Sequence, residues 1–186
     1  MLGPAGVGLY QAGMRLVEGA CRLAPVFAQY VLPSLSAHAA DPKRFMRRVL
    51  RVLGIFGAIG VLGGLTLALN ADFIANVLYG KEFSALVPLL PWFGVLLVLR
   101  YLETAGGLII VAKGLQSVKI WIVAAQLIYV LAVGPYALNH WGLIGWQINV
   151  IFSLCLVLCA YTVLLLSARQ VERWRQTAIM FPTDTN

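Results

Sequence analysis

The chain has 186 residues, of which 61% are hydrophobic and 11% are charged, and its mean hydropathy is +0.86. A soluble domain has roughly half its residues apolar and about a quarter charged, so this composition excludes an ordinary soluble domain and predicts an integral membrane protein. The net charge of +7 would suit a nucleic-acid partner in a soluble protein, but the basic residues cluster beside apolar segments, which is typical of topology determinants and argues against nucleic acid.

The cysteines and acidic residues give no sign of a metal site or of catalysis. Cys21, Cys155 and Cys159 lie in apolar segments and form no CxxC pair, so neither a disulfide framework nor a zinc site is predicted. Only seven acidic residues are present, and none belongs to a DxD, DDxxD or HExxH motif. We therefore expect no enzyme activity, no catalytic residues, no metal and no cofactor.

The apolar segments predict an all-α integral membrane domain over residues 1–168, with about five transmembrane helices. A cytoplasmic polar tail is expected over residues 169–186. The predicted spans, in chain order, are 7–36, 46–70, 84–112, 116–138 and 142–168.

The first span carries three charged residues inside one apolar run. Helical spacing puts Arg15 three residues before Glu18 and Arg22 four residues after it, so all three share one face. Arg15 lies roughly 15 Å into the span, close to the bilayer midplane, where charges normally face a bundle interior or a water-filled cavity. One interpretation is an ion pair that only fixes helix packing. Because two arginines face a single glutamate, positive charge is left over. This excess favours a second interpretation, a polar cavity that receives an anion.

Local signals predict where several helices bend, begin and end. Pro25 should kink the first span, because it removes a backbone hydrogen bond. Asp41 followed by Pro42 is typical of a helix N-cap with proline in the first turn. Gly80 is expected to end a short interfacial helix within residues 71–83.

The later spans contain two further patterns. Gly60 and Gly64 have the spacing that lets a neighbouring backbone approach closely. Arg100 and Glu103 form a second charged pair on one helical face near mid-depth. Further polar residues that are expected either to face the cavity or to bond between helices are Gln11, Gln126, Tyr129, Gln147 and Asn149.

The distribution of basic residues predicts the orientation in the membrane. Alternate loops hold ten basic residues, whereas the opposite loops hold only Lys81, beside Asp72 and Glu82. The basic side is expected to be cytoplasmic, which puts the N-terminus outside and the C-terminus in the cytoplasm. The cluster in residues 43–51 would also suit a lipid headgroup or a polyphosphate. The ten basic residues are Lys43, Arg44, Arg47, Arg48, Arg51, Lys113, Lys119, Arg169, Arg173 and Arg175.

Five short motifs, in order, resemble the C-terminal half of bacterial polysaccharide flippases of the multidrug/oligosaccharidyl-lipid/polysaccharide exporter superfamily. Each motif is degenerate, and their order and spacing over nearly the whole chain carry the resemblance. The motifs are Val7–Glu18, similar to "vGxYxxAxrlxE", Leu32–Ser36, similar to "fPxlS", Leu78–Phe83, similar to "lyGxeF", Gly106–Lys119, similar to "G…laxGxxk", and Asn139–Gly145, similar to "fGxxGaa".

The resemblance implies a two-lobe flippase in the bacterial inner membrane that moves undecaprenyl-diphosphate-linked oligosaccharide between leaflets by alternating access. This chain would supply most of the second, six-helix lobe. The expected partners are the lipid-linked oligosaccharide, membrane lipids and a missing N-terminal lobe in cis or in trans. The chain is thus expected to be a fragment, a split half or a homodimerising unit.

Within that framework, the arginines are the candidates for binding the diphosphate, because guanidinium groups bind phosphate oxygens bidentately. The glutamates would position them or balance their charge. The alternatives are a cation-coupled multidrug exporter of the same superfamily and a non-transporting membrane partner subunit or remnant. The candidate cavity residues are Arg15, Glu18, Arg22, Arg100, Glu103, Gln11 and Gln126.

Overall fold

A computed structural model describes the backbone of residues 4–37 and 41–180 and the side chains of residues 6–37, 41, 43–80 and 82–167. This part of the chain is helical and contains no strand. The elements in chain order are α1 (Pro4–Cys21), α2 (Leu23–Ser36), α3 (Pro42–Leu69), α4 (Ala71–Tyr79), a 3₁₀ helix (Lys81–Leu89), α5 (Leu90–Ala112) and α6 (Gln116–Met180).

Three helical segments within the described residues are long and apolar enough to cross a bilayer. For the described residues, the predicted helical class and the presence of membrane-length apolar helices are therefore confirmed. The three segments are Lys43–Leu69, Glu82–Ala112 and Gln116–Ser167, and they contain or closely match the predicted spans 46–70, 84–112, 116–138 and 142–168.

The predicted first span, 7–36, is not one continuous helix. It is divided at Arg22 into an 18-residue helix and a 14-residue helix. Pro25 accounts for this position, because it has no N–H to donate to the carbonyl of Cys21, and its ring crowds that carbonyl. The helix is thus interrupted one turn before Pro25, as the proline predicts, and neither part is among the three membrane-length segments.

Helix α6 folds back on itself at Gly142, where the backbone adopts φ 61° and ψ −146°. Glycine reaches this region without the steric penalty that a side chain would meet. Residue numbers rise on one arm as they fall on the other, so the arms are antiparallel. The contacts across this hairpin pair Gln126 with Ser153, Tyr129 with Phe152, and Gly134 with Trp146.

The two arms of α6, residues 116–141 and 143–180, correspond to the predicted fourth and fifth spans. The backbone of the second arm stays helical to Met180, so the predicted polar tail begins as a continuation of that helix. The side chains from residue 168 onward, and the last six residues, lie outside the described part of the chain.

Two predicted helix ends are confirmed. The Asp41 carboxylate accepts hydrogen bonds from the backbone N–H groups of Lys43 and Arg44, each at 3.1 Å, and Pro42 occupies the first turn of α3. This satisfies two of the N–H groups that the start of a helix leaves unpaired. Gly80 ends α4 with φ 81°, a conformation that favours glycine.

Helix α5 lies at the centre of the bundle and packs against α1, α2, α3, α6 and the 3₁₀ helix. A helix that is apolar all round is expected to be buried in this way. Its buried residues are Leu90, Phe93, Gly94, Leu96, Leu97, Tyr101, Ala105, Gly106, Gly107, Ile109, Ile110 and Ala112.

Close backbone contact between α3 and α5 depends on glycine. A Cβ atom added at Gly64 would lie 2.7 Å from the carbonyl oxygen of Gly94, and one added at Gly94 would lie 2.6 Å from that of Gly64. A Cβ at Gly60 would lie 3.1 Å from the Cα of Val98. The close approach predicted from the Gly60-xxx-Gly64 spacing is therefore confirmed.

We expect Gly64→Ala to destabilise the protein by about 1–3 kcal/mol, because the added methyl group meets backbone and cannot be relieved by a side-chain rotation. Gly54→Ala is the matched control on the same helix, since its Cβ meets nothing within 4 Å, and it should change stability by no more than about 0.5 kcal/mol. Thermal unfolding in detergent measures both. Equal stabilities for the two variants would contradict the close α3–α5 packing.

Candidate functional site

A groove of about 560 Å³ brings together charged residues from distant parts of the chain. Glu18 and Arg22 come from α1 and its junction with α2, while Arg100 and Glu103 come from α5. These are four of the seven candidate cavity residues. The remaining lining residues are Met14, Val17, Cys21, Pro25, Thr104, Leu108 and Lys119.

The convergence follows from the packing of α1 along α5. The Tyr101 hydroxyl donates a hydrogen bond to the carbonyl oxygen of Ala20 at 2.8 Å, and a Cβ added at Gly13 would meet the ring of Phe93. Both contacts join an α1 residue to an α5 residue about eighty positions later, so the two helices run parallel. The charged turn of α1 therefore lies beside the charged turn of α5.

The ionic contacts in the groove are incomplete. Arg100 Nη1 lies 3.3 Å from Glu103 Oε2, so the pair predicted from their spacing is formed, and the side chains keep 41% and 19% of their exposure. Glu18, Arg22 and Lys119 make no ion pair with any other described residue. Three basic side chains face two carboxylates, which leaves one positive charge in excess.

Lys119 is the charged groove residue that was not among the predicted cavity residues. The sequence predicts it as a topology determinant and as the end of the Gly106–Lys119 motif, yet its ammonium group lies across α5 at Gly107, where an added Cβ would come within 2.8 Å of Nζ. A glycine in the middle of a buried helix often marks a close approach by another group. The paired glycines at 106 and 107 were the available signal, but the sequence does not reveal what approaches them.

Three of the predicted cavity residues lie elsewhere. Arg15 and Gln11 are exposed and are not among the lining residues of the groove. Gln126 lines a separate apolar cleft of about 330 Å³ between the arms of α6, where its Nε2 donates to Ser153 Oγ at 3.2 Å. Helical spacing puts Arg15 near Glu18, but at the edge of the α1 face that lines the groove, which is formed by Met14, Val17, Glu18 and Cys21.

Gln147 and Asn149 were expected either to contact sugars or to bond between helices. Both are buried, with 2% and 5% of their surface exposed, and neither lines the charged groove. Their amide groups have no hydrogen-bond partner among the described residues. Tyr129 lies with Gln126 in the apolar cleft between the arms of α6, where its ring contacts Phe152.

The charged side chains of the groove are suited to binding an anion. Arginine and lysine donors with an excess positive charge attract an anion, and carboxylates beside them limit the charge when no ligand is present. Among the described residues, no three His, Cys, Asp or Glu side chains are grouped so as to hold a metal ion.

Comparisons with protein-family models, with curated proteins and with solved structures find no match for this chain.

The cysteines offer a direct test of whether the groove contains water. We expect a charged, water-soluble thiol reagent to modify Cys21 several times faster than Cys159 when the chain is inserted in lipid vesicles. Cys21 lines the groove, where charged groups draw in water, whereas the more exposed Cys159 lies on the outer face of an apolar helix. Peptide mass spectrometry identifies the modified site.

Denatured protein is the control for this experiment, because both thiols should then react at similar rates. Faster modification of Cys159 than of Cys21 in vesicles would contradict a water-filled groove.

Proposed function

We propose that the chain is a multi-pass membrane protein and forms part of a flippase that translocates undecaprenyl-diphosphate-linked oligosaccharide by alternating access, for surface polysaccharide biosynthesis. The observation that carries this proposal is the groove, in which Arg22, Arg100 and Lys119 face Glu18 and Glu103. Charged residues within apolar helices are costly, so a cluster of them is best explained by a ligand pathway.

A lipid-linked diphosphate matches the donors of the groove. The two guanidinium groups supply planar pairs of N–H donors for phosphate oxygens, and the Lys119 ammonium adds a mobile point charge. Glu103 contacts Arg100 at 3.3 Å and keeps the planar guanidinium group of Arg100 oriented when no ligand is bound. Glu18 reduces the repulsion between the three cations when the ligand leaves.

The packing supports five membrane crossings. The α1–α2 segment runs parallel to α5, whereas α3 runs antiparallel to it, since Gly60 meets Val98 and Gly64 meets Gly94. The arms of α6 add two crossings of opposite direction. Successive crossings therefore alternate, with the short helix α4 between the second and third, as expected for a polytopic chain with the N-terminus outside and the C-terminus in the cytoplasm of a bacterial inner membrane.

Translocation requires a second wall for the groove. By the resemblance, the chain supplies most of one lobe, and the other lobe would act in cis or in trans to close the cavity alternately on each side. The chain's own contribution is then to hold the diphosphate, while the apolar helices around it keep the hydrocarbon boundary.

The alternatives differ in the ligand that they require. A cation-coupled multidrug exporter binds cationic substrates, which the excess positive charge of the groove disfavours. A non-transporting partner subunit would use the same charges to pair with another membrane helix, so that removing a charge would destabilise the assembly without affecting any lipid ligand.

We expect Arg22→Gln to weaken binding of a polyprenyl diphosphate at least tenfold, because it removes a charge-assisted hydrogen bond worth about 1.5–3 kcal/mol. Arg15→Gln is the matched control, since Arg15 lies on α1 two turns before Arg22 but outside the groove, and it should change affinity less than about twofold. Binding is measured with the purified chain in uncharged detergent.

The corresponding polyprenyl alcohol, which lacks the diphosphate, should bind equally weakly to the unmodified protein and to both variants. An equal loss of diphosphate affinity in Arg22→Gln and Arg15→Gln, or tight binding of the alcohol, would contradict the proposal. A fall in thermal stability with unchanged diphosphate affinity would instead support the partner-subunit function.

A further inference from the structure

The first turns of α3 carry a dense positive surface that the groove does not use. We define the basic arm as residues 43–51 of α3 together with Lys113. Four arginines, at helix positions 44, 47, 48 and 51, fall within an arc of roughly 100° around the helix axis. The opposite face is apolar and buried, and its residues are Phe45, Val49, Val52 and Phe56.

Several contacts fix the basic arm in place. The Asp41 cap holds the start of α3, and Arg48 Nη1 donates hydrogen bonds to the hydroxyl and the carbonyl oxygen of Ser34 on α2. Lys113, from the turn between α5 and α6, lies with its Nζ 5.3 Å from the centre of the Phe45 ring, a cation–π contact. The first turns of α3 are therefore held against both α2 and the α5–α6 turn.

Arg44, in the first turn of the arm, pairs with Asp41 at 3.2 Å. Lys43, Arg47 and Arg51 are exposed and make no ion pair with another described residue.

The position of the arm along α3 puts it at a membrane surface. Residues 52–69 contain no charged side chain, and 18 residues at about 1.5 Å each give roughly 27 Å, close to the thickness of the hydrocarbon core. If this stretch fills the core, the arm crosses the adjoining headgroup layer. Its arginines then face the phosphates of the surrounding lipids.

We propose that the basic arm is a binding site for anionic phospholipid headgroups. Orientation in the membrane requires only positive charge, which lysine supplies as well as arginine. The arm instead has four arginines among its five basic residues in α3, and arginine alone offers the planar fork that binds phosphate oxygens bidentately. The arm is also folded against α2 and the α5–α6 turn, so the headgroup meets an ordered surface.

The test exchanges arginine for lysine, which keeps the charge and thus the topology. Purified protein in uncharged detergent is titrated with phosphatidylglycerol, and bound lipid is counted by native mass spectrometry. We expect the triple variant Arg44→Lys, Arg47→Lys, Arg51→Lys to bind phosphatidylglycerol about three- to tenfold more weakly. Phosphatidylcholine should bind weakly to both proteins.

The matched control is Arg169→Lys, Arg173→Lys, Arg175→Lys, an equal exchange near the other end of the chain. It should leave the affinity unchanged. Equal weakening in the control would show unspecific attraction and overturn the proposal. Displacement of the lipid by millimolar inorganic phosphate would also overturn it, because the site would then be one for free anions.

Discussion

The structure depends on the burial of α5 against its neighbours. This helix carries apolar side chains and glycines on every side, and the contact between Gly64 and Gly94 brings the backbones of α3 and α5 together. Although most of α5 is buried against its neighbours, its two charged residues, Arg100 and Glu103, lie in a gap between helices. The gap that the packing leaves is the groove, and its charge is therefore a consequence of how α5 is surrounded.

The groove and the basic arm use positive charge in two different ways. In the groove, the three cations come from separate parts of the chain, and a glycine at 107 makes room for the Lys119 side chain. In the arm, arginines follow one another along a single helix whose other face is buried. The first arrangement suits a ligand that passes between helices, and the second suits a headgroup that stays at the surface. Neither proposal depends on the other.

Much of the fold was predictable from local chemistry. The helical class, the cap at Asp41, the end of α4 at Gly80 and the close approach at Gly64 all follow from residue type and spacing. The division of the first span at Arg22 followed from Pro25 only in part, because the sequence predicts a bend but not the exact residue at which the helix breaks.

The site was less predictable. Helical spacing correctly paired Arg100 with Glu103, but it could not show that Arg15 lies outside the groove, since that depends on where α5 packs. The role of Lys119 was hidden for the same reason.

The most direct test of this account is the distance between α1 and α5 at the groove. In a chain whose native cysteines are replaced by serine, the pair Arg22→Cys and Thr104→Cys should be joined by a thiol cross-linker that spans about 10 Å, because both positions line the groove. The pair Arg15→Cys and Thr104→Cys, with its first member seven residues earlier on α1, should be joined poorly or not at all. Equal cross-linking of the two pairs, or none of the first, would contradict the parallel packing of α1 on α5 from which the groove and its proposed ligand were inferred.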